Sequence, residues 1–278
     1  MHRLAVIVVL GVGGACEFSR HDGLAPPGDD APDAAPQAPD GTVARAPCAT
    51  ADATGLVACF EIDDGVGDGV LEDSSPAKRD AATTGLGAAT RGTSPAAQVG
   101  ASSETRVPHE AALDLPAAYT ISVWVRPDAL PEVGGGVYGI VDHEQQYAML
   151  ISNSAVVGLQ NKCVHTGVAR SEYTERLPVG AWSFLACTWD GVELCASRWT
   201  GAGAGQHERY CHKPVFGPAP AGAHGLAIGH LSDGGAAHSR FGGALDSLQV
   251  YRRAMSADQL CAQVGQGPGC LPCDLCEP

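Results

Sequence analysis

Tyr119-Thr120-Ile121-Ser122-Val123-Trp124-Val125-Arg126-Pro127 is the stretch that decides the fold. Tyr119, Ile121, Val123 and Val125 fall on one face and Thr120, Ser122, Trp124 and Arg126 on the other, the period-2 pattern of a strand. β-Branched and aromatic side chains suit a pleated surface, and Pro127, with no amide donor, ends the run. The same pattern recurs on both sides. Residues 182–189 and 192–199 flank Asp190-Gly191, a strong hairpin signal. Residues 55–62, 225–229 and 243–251 are further strand-like runs, and residues 147–152 and 155–160 lie around Asn153-Ser154. Only Ser256-Ala257-Asp258-Gln259-Leu260 has a helical start, with Ser256 as N-cap. Many short strands with frequent turns predict an all-β protein, a two-sheet antiparallel sandwich over residues 48–262.

Composition agrees. The chain has 278 residues, room for one large domain or two small ones. Its 45% hydrophobic content is too high for a wholly disordered chain, and 36 Gly with 19 Pro suit turns. Seventeen Lys+Arg against thirty-one Asp+Glu give a net charge of −14, which argues against nucleic acid or an anionic membrane surface as partner. Lys occurs only at positions 78, 162 and 213, and with the Ala, Gly and Pro excess this points to a GC-rich bacterial genome.

The chain has eleven cysteines, an odd number, and cytosolic proteins seldom keep so many thiols. The N-terminus accounts for one. Met1-His2-Arg3 is a short basic segment, Leu4 to Val12 is apolar, and Gly13-Gly14-Ala15-Cys16 follows. The uncharged run is shorter than the roughly 20 residues a membrane span needs, so residues 1–16 are expected to be an export signal. The small residues before Cys16 resemble a bacterial lipobox, which implies acylation of Cys16. The expected location is therefore the cell envelope through a lipid anchor, or the exterior. Residues 17–47 hold six Pro, seven Ala and five Asp, too little apolar surface for a core, and are expected to form a disordered tether. Residues 263–278 form a Cys-rich tail.

Gly55-Leu56-Val57-Ala58-Cys59-Phe60, with Leu71-Glu72-Asp73-Ser74-Ser75 after it, resembles the opening of laminin G-like jelly rolls in the concanavalin A-like lectin/glucanase superfamily. The run at 119–127, the hairpin at 182–191 and the closing Phe241-Gly242-Gly243-Ala244-Leu245-Asp246-Ser247-Leu248-Gln249-Val250-Tyr251 resemble that family's motifs in the same order. The resemblance implies a jelly roll of a dozen or so strands. It also implies a binding module far more often than an enzyme.

If the family hairpin holds, Cys195 and Cys211 lie on neighbouring strands within disulfide reach. Cys187 and Cys195 point to opposite faces and are not expected to pair; Cys163 with Cys187 is the remaining mid-domain option. Cys261, Cys270, Cys273 and Cys276 are expected to pin the tail by disulfides, with Cys48 or Cys59 tying in the first strand.

Asp246 is expected at the end of the core, on the face of Leu248 and Val250, where a carboxylate needs a hydrogen-bond network or a calcium ion. Asp73 is the candidate neighbour, and the resemblance implies that some relatives bind calcium. Trp199 precedes a Gly-rich turn and is expected either to stack on a sugar from an exposed tip or to pack locally. Catalysis is poorly supported. Glu61-Ile62-Asp63-Asp64-Gly65-Val66 lacks the last Glu of a glucanase strand, His143-Glu144-Gln145-Gln146-Tyr147 lacks the second His of a zinc-protease helix, and no nucleophile elbow or P-loop occurs. Loop histidines such as His207, His212, His224, His230 and His238 are expected to be solvated. The leading expectation is an exported, non-catalytic module that binds carbohydrate or a cell surface. The alternatives are a structural or protein-interaction envelope lipoprotein and, more weakly, a diverged glycosidase using loop acids such as Asp142, Glu144 and Asp233.

Overall fold

The alternating run at residues 119–127 is a nine-residue strand lying between the strands formed by residues 183–189 and 243–251. The computed structural model describes residues 48, 51–62, 66–132, 136–144, 146–154, 158–166, 169–172, 177–200, 207–213 and 224–265. In chain order the strands are β1 (Leu56–Phe60), β2 (Val70–Leu71), β3 (Ala81–Thr84), β4 (Gly87–Arg91), β5 (Ser94–Val99), β6 (Glu104–Val107), β7 (Tyr119–Pro127), β8 (Val137–His143) and β9 (Tyr147–Ser154). They continue as β10 (Gly158–His165), β11 (Ala169–Glu172), β12 (Ser183–Trp189), β13 (Leu194–Trp199), β14 (His207–His212), β15 (Leu226–Ile228), β16 (Leu231–Asp233), β17 (Ala236–His238) and β18 (Gly243–Tyr251). One helix, α1 (Ala257–Gln263), follows. Its N-cap Ser256 and Gln259 form a reciprocal capping box.

Two antiparallel sheets make a jelly-roll sandwich. The first runs β14-β13-β12-β7-β18-β5-β4, with β1 also paired to β18; the second runs β11-β10-β9-β8-β15-β6-β3-β2. β16 and β17 form a separate hairpin. The core between the sheets takes Ile121, Val123 and Val125 from β7, Leu185 from β12, Leu248 and Val250 from β18, and Val141, Met149 and Ile151 from the opposing sheet. Burial of each such side chain contributes about 1.5–3 kcal/mol. No helix among the described residues is long and apolar enough to cross a membrane.

The turn after β12 departs from expectation. Thr188 faces Cys195 and Trp189 faces Leu194, so the loop has four residues, not the two of Asp190-Gly191. The Asp190 carboxylate accepts from the amides of Val192 and Glu193, which stabilises the longer turn. Shifting the register by two keeps every side chain on its face, so Cys187 and Cys195 still point apart. Asn153 and Ser154, expected in a turn, extend β9 and pair with Leu159 and Gly158.

Cys163 on β10 and Cys187 on β12, both fully buried, form a disulfide that joins the two sheets through the core. Cys195 and Cys211 lie directly opposite each other on β13 and β14 and are bonded. Cys48 and Cys59 bond to each other, which corrects the expectation that either would hold the tail. They close an 11-residue separation within the N-terminal segment and leave no thiol for a distant partner. Cys261 is disulfide-bonded as well. Cys16, Cys270, Cys273 and Cys276 lie outside the described residues, as do the signal, the tether and most of the tail. These disulfides are those of a chain that folds in an oxidising compartment.

The inter-sheet bond yields a direct test. Replacing Cys163 and Cys187 together by Ala frees a 24-residue separation and should lower the unfolding free energy by about 3–4 kcal/mol in urea titrations. A loss below about 1 kcal/mol would show that packing alone fixes the distance between the sheets.

Candidate functional site

Outward-facing side chains of the first sheet form a second apolar cluster. Trp124, Phe184, Trp199 and Tyr251 are covered by Met255 and by Leu260, Cys261 and Val264 of the C-terminal helical segment. Trp199 is only 4% exposed and meets Trp124 edge-on at 5.3 Å. The expected exposed, sugar-stacking indole is therefore corrected to a packing residue. Alternation does turn Trp199 away from the sandwich core, but the face it enters is closed.

Trp182 is different. It sits one residue before β12, shares the cluster's edge, and stays partly exposed. Its indole N–H donates to the Thr90 carbonyl at 3.2 Å, and the Arg126 guanidinium lies 5.5 Å from its ring centre. Arg126 donates to Asp128 (3.3 Å) and to Gln98 (3.3 Å), and Gln98 donates to Asp128 at 2.7 Å. An aromatic surface thus stands beside a cation, an amide and a carboxylate whose orientations are mutually fixed. Such a set can meet the apolar face of a sugar and accept or donate to its hydroxyls.

The two suspected calcium ligands are held by protein groups. Asp73 is fully buried and accepts from the amides of Cys59, Ser75 and Arg79 (each 2.8 Å) and from the Ser75 hydroxyl (2.7 Å). Asp246 is also fully buried; it accepts from Arg91 Nε at 2.7 Å and from the Ser247 hydroxyl at 2.9 Å. None of these partners is common to the two carboxylates. Nor does Asp246 share the face of Leu248 and Val250. A bulge between Asp246 and Gln249, with Ser247 at φ 51°, reverses the alternation and sets Asp246 opposite Trp124 on the outer face. Arg91 stacks on Trp124 at 4.5 Å and carries the ion pair there.

A more polar constellation surrounds the C-terminal end of β8. Asp142 faces outward from the second sheet, opposite Ala227 and Ala148, and Arg106 lies opposite Ala227 and Ala82 in the same row. The β16–β17 hairpin folds over this row. Ser232 donates its amide to Asp142 (2.8 Å), Gly234 and Gly235 donate theirs to Glu144 (2.9 and 3.3 Å), and Arg106 donates to the Gly235 carbonyl (2.9 Å). Gly139 permits the approach, since a Cβ there would collide with the backbone of His230 and Leu231. Burial, together with the nearby Glu144 charge, pushes Asp142 up to about 6 against the Ser232 amide. Burial would raise Glu144 too, but the amides of Gly234 and Gly235 and the neighbouring His224 hold it below the usual range. Of the three acids expected in loops, Asp142 lies in β8 and Asp233 in β16; Asp142 and Glu144 clamp the hairpin, while Asp233 stays exposed.

On the inner side of the same strand end, His143 is fully buried, with Tyr147 and His109 beside it. Its Nε2 lies 3.8 Å from Asp114 Oδ1, and burial depresses its pKa to about 4. Sequence reading did not connect His109, Asp114 and His143. The expectation of solvated histidines also fails at His230, which is fully buried beneath the hairpin start. A separate depression of about 260 Å³ lies between β12, β13 and the start of α1, lined by Asp190, Glu193, Cys195, Arg209 and Ser256 among others. The acid–sulfur cluster Glu193, Cys195 and Cys211 in that region cannot ligate through sulfur, because the two cysteines are bonded.

Two antiparallel sheets wrapped around one core, with polar rims and a half-open aromatic, define a lectin-like jelly roll. The chain belongs to the concanavalin A-like lectin/glucanases superfamily, whose family model matches residues 99–261. No curated protein matches it in sequence. Among solved structures it is similar to domain 4 of AbnA, a GH43 extracellular arabinanase from Geobacillus stearothermophilus, in complex with arabinotriose. That likeness has 18% identity and a TM-score of 0.54, and covers 75% of this chain and 98% of that one. It is similar to the binding domain of botulinum neurotoxin DC in complex with SialylT, with 10% identity and a TM-score of 0.54, over 77% of this chain and 52% of that one. The same toxin domain was solved with rat synaptotagmin II. Trypanosoma rangeli sialidase in complex with the inhibitor DANA is also similar, with 13% identity and a TM-score of 0.53, over 76% of this chain and 33% of that one.

The Asp246 ion pair separates scaffold from site. Asp246→Ala, which strands the Arg91 charge, should cost about 3 kcal/mol or more, whereas the double variant Arg91→Met/Asp246→Leu should cost far less. Chemical denaturation measures both. A cost seen only with calcium present, and abolished by chelator, would instead mark Asp246 as a cation ligand.

Proposed function

We propose that this protein is an exported, non-catalytic recognition module of a bacterial cell envelope, and that it binds carbohydrate at the patch formed by Trp182, Arg126, Gln98 and Asp128. One observation carries the reading. Trp124, Trp189 and Trp199 are 4–5% exposed, while Trp182, the fourth tryptophan, keeps part of its indole at the surface beside fixed polar partners. The fold relatives support the ligand class, since the arabinanase domain was solved with an arabino-oligosaccharide and the toxin domain with a sialylated ligand. A single partly open indole suits a shallow, weak glycan site. The second reading is a protein partner, favoured by the toxin domain's complex with synaptotagmin II.

Catalysis has no place in this proposal. Asp142 and Glu144, the loop acids brought together, are engaged by backbone amides of the hairpin. The proposed patch invokes no calcium, since Arg126, Gln98 and Asp128 orient one another by hydrogen bonds.

A glycan array carrying arabino-oligosaccharides and sialylated glycans tests the reading. The wild-type chain should bind, the signal should survive EDTA, and Trp182→Ala should lower the affinity by about tenfold while the fold is retained. Equal binding by the variant would remove the patch from the proposal, and a blank array with the wild type would favour the protein partner. We further propose that Cys16 carries the lipid anchor and that residues 17–47 are the tether. Cys16→Ser should then abolish incorporation of labelled palmitate in bacterial cells, and retained label would overturn the anchor.

A further inference from the structure

The segment after β6 and the end of β8 bring three potential ligands together from distant parts of the chain. The chain leaves β6 at Val107, passes His109, makes a 3-10 turn at Ala111–Leu113 and reaches Asp114 before entering β7. β8 ends at His143. One ligand atom from each of His109, Asp114 and His143 lies within 4.8 Å of the others. Around a tetrahedral ion with bonds of about 2.0–2.2 Å, donor atoms sit roughly 3.4 Å apart. The 3.8 Å between His143 Nε2 and Asp114 Oδ1 is close to that spacing, and His109, on an exposed loop, can close the remainder by a side-chain rotation.

His143 supplies the independent sign of a ligand. Its side chain is fully buried, and neither ring nitrogen has a hydrogen-bond partner. A buried polar group left unpaired costs about 1–3 kcal/mol, so native proteins keep few of them without a purpose. The surroundings are built to orient the neighbouring carboxylate. Gln146 donates its side-chain amide to Asp114 Oδ1 at 2.7 Å and accepts from the Leu115 amide at 3.1 Å. Its own backbone amide donates to the His143 carbonyl at 2.9 Å. Carboxylates that ligate metals are commonly steadied by such outer hydrogen bonds.

We propose that His109, Asp114 and His143 form a binding site for a divalent transition-metal ion of the zinc class. Two imidazoles and one carboxylate match the nitrogen–oxygen preference of zinc, whereas calcium takes six to eight oxygens. Three protein ligands, one of them exposed, leave a fourth position for water or an outside ligand. The site is distinct from the Trp182 patch and does not depend on the proposed glycan binding.

Cobalt(II) provides the probe, because its visible absorption reports tetrahedral coordination. The full chain, with its disulfides oxidised and stripped by chelator, should bind one cobalt ion with visible bands that zinc bleaches. His109→Ala alters an exposed side chain and should keep the fold. It should weaken the titration at least tenfold and cancel the rise in melting temperature that zinc gives the wild type. Asp114→Asn should weaken binding in the same direction. No visible bands in the wild type, or a titration unchanged in His109→Ala, would overturn the site. A sulfur-to-cobalt charge-transfer band that persists in both variants would overturn it too, by assigning the metal to tail cysteines.

Discussion

The bond between Cys163 and Cys187 ties the centre of β10 to the centre of β12, one from each sheet, in a part of the core closed to water. It spans the gap between the sheets, and aromatic side chains of the interior pack beside it. His165, two residues along β10, stacks on Trp189, two residues along β12, at 4.4 Å, and Tyr119 packs against both His165 and Tyr147. Tyr147 in turn lies directly opposite His143 in the β8–β9 register, at the end of β8. A chain of ring contacts thus runs from beside this cross-link to His143 at the rim.

Some of this fold is legible in the chain because the pattern and the burial coincide. β7, β12 and β18 show clear alternation or dense apolar runs, and they are the middle of the first sheet. β3, β4, β5 and β6 read poorly. Ala81-Ala82-Thr83-Thr84 and Gly87-Ala88-Ala89-Thr90-Arg91 carry side chains too small or too polar to advertise a buried face, and their strand character comes from neighbours that complete the ladders. Periodicity also cannot foresee a bulge. One residue at Ser247 moves Asp246 from the core side to the outer side, where it meets an arginine stacked on Trp124.

The sites were less legible than the fold. Alternation shows that Trp199 leaves the sandwich core, but only the later helix shows that its side is covered. Trp182 and Trp199 look alike as strand residues, and the difference between them is which end of the sheet the helical segment reaches. His109 and His143 are 34 positions apart with no spacing motif between them, so only the packing of β8 against the loop before β7 could reveal them as a pair.

The first and last strands of the sandwich are partners: β18 is paired along one side by β7 and along the other by β5 and β1. The middle of a sheet is therefore made by the last strand among the described residues, and the helix that seals Trp124 and Trp199 comes later still. Contacts of such long sequence separation form slowly, and here they cannot form at all until nearly the whole chain is available. Until β18 arrives, the first sheet lacks its middle strand, the edges of β7 and β1 that it pairs stay open, and Trp124 and Trp199 stay uncovered.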